Sequence, residues 1–323
     1  MRVLVTGGYG FIGSHVLCQL IDAGHDVACF DLGDPSAVSR PVADEVTDYT
    51  GDVTDPHEVY GAVIDFEPDR IIHLASLLGR ESQHVPRQAV AVNLQGTLTV
   101  LEAAEDAGVE RVVAASSASV YGHFPPDATR FDETSRRTPD SVYGMTKYAV
   151  EHIGPVYAER SNLDFCAIEP VHGLGPDRVR GNVEDAVVVK AAVAGEPITV
   201  PAIEYPIEII AVQDEARAFV DATLADRTAH DVYLIGTGEQ KTLTEMVDLV
   251  RDVVPGAELE LGADRGDDQL VRRPPSDTSR IRDDLGWAPE YTVREAVEAY
   301  VEWLREHPDD WSIDPNDLPW GPD

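Results

Sequence analysis

Between a run of β-branched residues and a helical pattern lies VTGGYGFIGSH, and this stretch restricts the fold more than any other in the chain. Gly7, Gly10 and Gly13 stand in a TGxxGxxG spacing directly after the apolar run 2–5. Glycines so placed allow a tight turn and a close backbone approach to a pyrophosphate, and the third lets a helix pack closely on the strand. The helix that opens at Phe11 and Ile12 offers unpaired N–H groups and the positive end of its dipole. Asp31 ends the second apolar run, DVACFD (26–31), where a carboxylate accepts hydrogen bonds from an adenosine ribose. Asp34 follows and no basic residue comes before Arg40, so a 2′-phosphate is disfavoured and NAD is expected over NADP.

The alternation continues. VTDYTGDV (46–53), RIIHLAS (70–76), RVVAASSASVYG (111–122) and DFCAIEP (164–170) read as strands, with helices between them, notably over 86–107 and 141–160. Unalternated apolar strands separated by helices mean a parallel sheet covered on both faces. The expected class is α/β, a Rossmann-type doubly wound parallel sheet over residues 1–170. Beyond it, short strands at 197–201 and 231–236 mix with helices near 214–225, 242–253 and 292–306. They suggest a smaller C-terminal α/β substrate lobe over 171–308, free to interleave with the first. Residues 309–323 read as an irregular acidic tail. No apolar run approaches the ~20 residues of a membrane span, and no charged leader precedes the first strand. A soluble, cytoplasmic protein is expected.

Acidic residues outnumber basic ones 59 to 25, a formal charge of −34. Such a surface repels nucleic acid and anionic membranes, which excludes both as expected partners. The acids are scattered, and arginine outnumbers lysine 22 to 3, a composition that resembles proteins of salt-in halophilic microbes. At ~1 M salt the screening length falls to roughly 3 Å, which suppresses the self-repulsion of such a chain. Cys18, Cys29 and Cys166 form no CxxC pair, and the histidines show no ligand spacing, so no metal is expected.

Scarcity gives weight to Lys147 in SVYGMTKYAVE (141–151). Tyr143 and Lys147 are i, i+4 on one helix face. A tyrosine titrates near ~10, and a nearby ammonium favours the phenolate. The expectation is a tyrosine base whose pKa the lysine lowers, with the lysine also placed to hydrogen-bond a nicotinamide ribose.

TGGYGFIG (6–13), GDVTD (51–55), HLAS (73–76), VNLQGT (92–97), SSASVYG (116–122), YGMTK (143–147) and LGWAP (285–289) together span nearly the whole chain. With them the chain resembles the extended short-chain dehydrogenase/reductases, the NAD-dependent epimerase/dehydratase family. The resemblance implies Tyr143 as general acid/base, Lys147 as its activator, and Ser117 as the hydroxyl that orients the reacting oxygen, with Ser116 the alternative. It implies adenine contacts from Asp52 and Val53, and phosphate and ribose contacts from Leu74, Ala75 and Ser76. Pro170 joins the cofactor side, and Asn93 steadies the site from a neighbouring helix. Ser117, Ser119, His172 and Arg265 are the substrate-side expectations. A homodimer through a four-helix bundle of 86–107 and 141–160 is implied as well.

Dehydratase members carry an Asp-Glu pair after the catalytic hydroxyl, where this chain has Ala118 and Ser119. That leaves epimerisation of a sugar nucleotide, of the UDP-glucose 4-epimerase type, or net dehydrogenation of a free aldose or a small hydroxy or amino acid. A catalytically silent NAD-binding sensor is disfavoured by the intact Ser117, Tyr143 and Lys147. Glu169 and Ile207 stand where sugar-nucleotide members carry arginines, which weakens the expectation of a nucleotide diphosphate. Arg265, in DRGDD, matches the family's RxGD-like element; Arg272 and Arg273 are the other cations on offer.

Overall fold

The computed structural model describes residues 1–264, 272–313 and 318–320. Strands β1 (Arg2–Thr6), β2 (Asp26–Asp31), β3 (Val46–Thr50), β4 (Arg70–His73), β5 (Arg111–Ala115) and β6 (Asp164–Pro170) alternate with helices. These are α1 (Phe11–Asp22), α2 (Pro56–Phe66), α3 (Gly79–His84), α4 (Pro86–Val90), α5 (Thr97–Ala107) and α6 (Val142–Arg160). The second half adds β7 (His172–Leu174), α7 (Glu184–Ala194), β8 (Ile198–Ala202), β9 (Ile207–Ala211), α8 (Val212–Leu224) and β10 (Val232–Ile235). It closes with β11 (Gln240–Lys241), α9 (Leu243–Val253), β12 (Leu259–Asp264), α10 (Ser279–Leu285) and α11 (Val293–Glu306).

One sheet has the order β10-β6-β5-β4-β1-β2-β3 and every pairing in it is parallel. The strand order reverses between β1 and β4, so a crevice opens at their carboxyl ends, the place where doubly wound sheets bind ligands. Apolar strands such as β4, buried along its whole length, fill the sheet because helices cover both faces. Val3, Val5, Leu17 and Phe219 share one of these layers, and Leu4, Phe30, Leu101 and Phe165 another.

The chain does not divide cleanly at residue 170. β10 pairs with β6, and Phe219 and Ala222 of α8 pack into the core shared with α1. The remainder of the second half forms two small sheets, β11-β9-β7 and β12-β8, around a core of its own with Val189, Ile209, Val247 and Tyr300. α9 and α11 each begin in a capping box, Thr242 with Glu245 and Thr292 with Glu295, which satisfies their first N–H groups. From the tail, Trp311, Ile313, Leu318 and Trp320 lean on this second core. Among the described residues no helix is long and apolar enough to cross a membrane.

Three strands end sooner than their β-branched runs suggest: β3 at Thr50, β4 at His73 and β5 at Ala115. The residues that follow leave the sheet as loops, and they are the ones that line the crevice: Asp52 and Val53, Leu74 to Ser76, and Ser116 to Ser119. The expected helix over 86–107 is continuous but changes pitch, with a π-helical stretch at Ala91–Gly96.

Candidate active site

Gly7 follows β1 at φ +71°, a conformation that glycine adopts without strain. A Cβ there would come within 2.6 Å of the Ala75 nitrogen, so glycine also lets the β4 loop close against the β1 loop. Gly10 caps α1 in an extended conformation and no side chain caps the helix. The first-turn N–H groups at Phe11 and Ile12 are therefore left for a ligand, and both residues line the crevice. At the end of β2, Asp31 Oδ2 accepts from the Tyr9 N–H at 3.0 Å and Oδ1 from the Gly33 N–H at 3.1 Å. Leu32, Gly33, Asp34 and Ser36 surround it, and no cation is among them. An uncapped helix start, a glycine turn and an aimed carboxylate fit a dinucleotide with a free ribose 2′-hydroxyl. Bound NAD is expected to exceed NADP in affinity by about 100-fold, since a phosphate would face two carboxylates. Calorimetric titration with both cofactors checks this, and a preference for NADP contradicts it.

Asp52, Val53, Leu74, Ala75, Ser76 and Pro170 line the same crevice, whose volume is about 860 Å³. That lies toward the upper end for ligand sites, ~300–1,000 Å³, and has room for more than a dinucleotide's reactive end. Asn93 stands behind the wall. It accepts from the Leu77 N–H at 2.7 Å and donates to the Leu77 carbonyl and the Thr146 hydroxyl, tying the β4 loop to α6.

Ser117 and Tyr143 meet at the other end. Ser117 opens a 3₁₀ turn, Ala118–Tyr121, and its Oγ accepts from the Ser119 N–H at 3.1 Å. Its hydroxyl is near enough to Tyr143 to favour the phenolate, and Ser119 Oγ lies 3.2 Å away. The Ser116 hydroxyl is committed elsewhere: its Oγ donates to the buried Glu151. Ser117 is thus the serine whose hydroxyl reaches the tyrosine. Ser141 caps α6 by accepting from the Gly144 N–H, which sets Tyr143 in the first turn.

The electrostatics depart from the expectation. Burial pushes the Tyr143 phenol up to about 12, against the opposing influence of Ser117 and Arg178. Lys147 does not lie on the phenol. Its Nζ donates to the Ala115 carbonyl at 2.8 Å and stands 5.6 Å from the Tyr143 ring centre. Burial lowers its amine to about 7. The i, i+4 spacing places both groups on one face, but burial in the surrounding core, which disfavours both charged forms, governs each of them.

His172 and Pro170 bring the β6–β7 junction into the crevice. His172 Nε2 lies 2.9 Å from the buried Asp185, and Nδ1 lies 3.4 Å from an Arg178 nitrogen. A guanidinium can only donate, so Nδ1 accepts and the Nε2–H donates to Asp185. Arg178 is further fixed by the Asn182 carbonyl, at 3.1 Å from its terminal nitrogen, and by the face of Phe11, 4.9 Å away. It is a cleft cation at the helix start, and no motif in the sequence marks it. Arg80, Arg180 and Arg273 also line the crevice. Arg265 lies outside the described residues.

Glu169 changes meaning in the structure. It is fully buried and turned away from the crevice, accepting from the Tyr121 hydroxyl at 2.6 Å and from Arg137 at 3.0 Å. Arg137 also bonds Glu151 at 2.9 Å. An acid at position 169 therefore removes no cation from the ligand site; it forms half of a buried ion pair below it. Ile207 does line the crevice, as an apolar surface. Glu215, which the sequence reading passed over, lines it too, beside Tyr143 and Arg178.

Comparison with known proteins agrees with this geometry. Residues 3–236 match the model of the NAD dependent epimerase/dehydratase family. The chain is 31% identical to a UDP-glucose 4-epimerase of Mycolicibacterium smegmatis, over 94% of its own length and 99% of the relative's. It superposes on the UDP-glucose 4-epimerase of Thermus thermophilus in complex with NAD with a TM-score of 0.84 at 29% identity, covering 94% of this chain and 99% of that one. A Thermotoga maritima UDP-glucose 4-epimerase with UDP-glucose gives a TM-score of 0.86 at 25% identity, with 96% and 100% covered.

Proposed function

This chain belongs to the NAD dependent epimerase/dehydratase family, and from that premise we propose that it is an NAD-dependent epimerase of sugar nucleotides, of the UDP-glucose 4-epimerase type. The observation that carries the reading is that Ser117 and Tyr143 line the same crevice as the glycine turn and Asp31. Bound NAD supplies a hydride acceptor, and a positive charge on its oxidised ring that favours a phenolate. Tyr143 takes the proton from the sugar hydroxyl, and Ser117 donates a hydrogen bond to the oxygen as it becomes a carbonyl. Rotation of the oxidised sugar in the crevice would present its opposite face for return of the hydride, and Tyr143 would give its proton back to complete the inversion. Lys147 holds the loop after β5 through the Ala115 carbonyl, so Ser117 keeps its place.

Neither Ala118 nor Ser119 is an acid that could expel a hydroxyl, which supports epimerisation over elimination. Arg178, held by His172 and the Asn182 carbonyl, supports an anionic substrate. Two ion pairs involve residues of the crevice wall, Arg80–Glu184 at 3.2 Å and Arg180–Glu81 at 3.9 Å. The same reading pairs two copies through α6 and residues 86–107, which leave Val90, Met145 and Val156 exposed.

Incubation of the NAD-loaded protein with UDP-glucose should yield a mixture with its 4-epimer, resolved by NMR, and no accumulation of NADH. Stoichiometric NADH without the epimer would overturn the proposal in favour of a dehydrogenase.

A further inference from the structure

Asp214 and Glu215 are adjacent buried carboxyls in the first turn of α8, and their surroundings differ. Asp214 is saturated: it accepts from the N–H groups of Glu290 and Tyr291 and from Arg217. Glu215 is 1% exposed, and its Oε2 has no hydrogen-bond partner among the described residues. It makes no ion pair within 4 Å among them either. The Gly173 backbone approaches so closely that any Cβ there would overlap the carboxyl group. Glycine at 173 thus leaves the space that the carboxyl occupies on the crevice wall. A polar group buried without a partner keeps its full desolvation cost, so its persistence at a ligand site calls for a ligand.

We propose that Glu215 is a specificity-determining residue, a neutral carboxyl that completes its hydrogen bonding on the ligand lying against Tyr143. The inference rests on the reading of function above. The groups that face it are Tyr143 from α6, His172 and Gly173 from β7, Arg178 from the following loop, and Asp214 on its own helix, with Asp185 of α7 behind His172. Burial raises its pKa to about 8, with Arg178 opposing and Asp214 adding to the shift. A neutral carboxylic acid both donates and accepts, which suits a hydroxyl, carbonyl or carboxamide and rejects an ionised carboxylate.

Two variants separate a ligand contact from a structural part. E215Q keeps donor and acceptor and should retain kcat/KM for UDP-glucose within about 3-fold. E215L keeps the volume, removes an unpaired buried group, and should melt no lower than the wild type. It should nonetheless lose about 10- to 100-fold in kcat/KM and in calorimetric affinity of the NAD-loaded protein for UDP-glucose, the factor for one ligand group left unpaired. The proton is read without turnover. Because the folded pKa lies above the ordinary 4.5, the native state binds the extra proton. The melting temperature of the wild type relative to E215Q should therefore fall as pH rises from about 4.5 to about 8, and then level off. E215L that binds and turns over UDP-glucose like the wild type overturns this inference and leaves the function standing. A wild type that neither binds nor epimerises any nucleotide sugar overturns both.

Discussion

Tyr143→Phe is expected to lower turnover by about 10³-fold, within the range that a positioned acid/base contributes, while NAD affinity changes by less than about 3-fold. The substitution keeps the ring that packs at the start of α6 and removes only the hydroxyl. That hydroxyl lies beside Ser117 on the crevice wall and is the group that can exchange a proton with the sugar oxygen. Since burial holds the phenol up to about 12, it is protonated at neutral pH in the unloaded protein, and the positive charge of oxidised NAD would lower that value. The wild type should therefore oxidise its substrate faster as pH rises toward the phenol's pKa in the loaded enzyme. Single-turnover reduction of bound NAD, followed against pH, reads this rise directly, and the variant should show neither the rate nor the slope. A variant that turns over at wild-type speed removes Tyr143 from the mechanism.

The second large effect concerns salt. In ~0.1 M salt the screening length is ~10 Å, and at ~1 M it is ~3 Å. The chain carries a formal charge of −34. The arginines do little to dilute it over the surface, because many are committed to particular acids: Arg111 to Asp164, Arg137 to Glu151 and Glu169, Arg217 to Asp214, Arg160 to Glu105. The remaining carboxylates repel one another with few mobile cations of the protein's own nearby. Melting temperature should climb steeply between ~0.1 M and ~2 M potassium chloride, and activity should vanish at the low end with unfolding seen by circular dichroism. Surface ion pairs are individually worth little, so their loss to screening at high salt offsets only a small part of the gain. A melting temperature that is flat over this range would refute the argument.

The parts of the molecule governed by local rules were legible in the sequence. The glycine turn, the acid at the end of β2 and the alternation of apolar strands with helices each follow from backbone freedom, hydrogen bonding and periodicity within a few residues. The i, i+4 pair on α6 was legible for the same reason. What depended on burial was not. The spacing of Tyr143 and Lys147 could not say that both would be desolvated, so the direction of the tyrosine's shift was misjudged. Glu169 looked like a lost cation because a sequence position carries no side-chain direction; in the fold it faces Tyr121 and Arg137. Arg178 and Glu215 come from the second half, where the elements are short and their contacts distant in sequence, and no spacing links either to Tyr143. The runs past Thr50, His73 and Ala115 read as strand because Val53, Leu74 and Val120 prolong the apolar pattern, although small and polar residues such as Gly51, Ser76 and Ser116 stand among them.

The return of β10 to the edge of the main sheet means that this enzyme's second half is stitched into its first twice, once by peptide and once by hydrogen bonds. Severing the chain after β6 would bare that strand's flank and strip α8 from α1, leaving a sticky edge in place of an independent module. New specificities in such a scaffold have to arise by rewriting loops and wall residues where they stand, since exchanging whole lobes between relatives would tear the fabric that holds the crevice together.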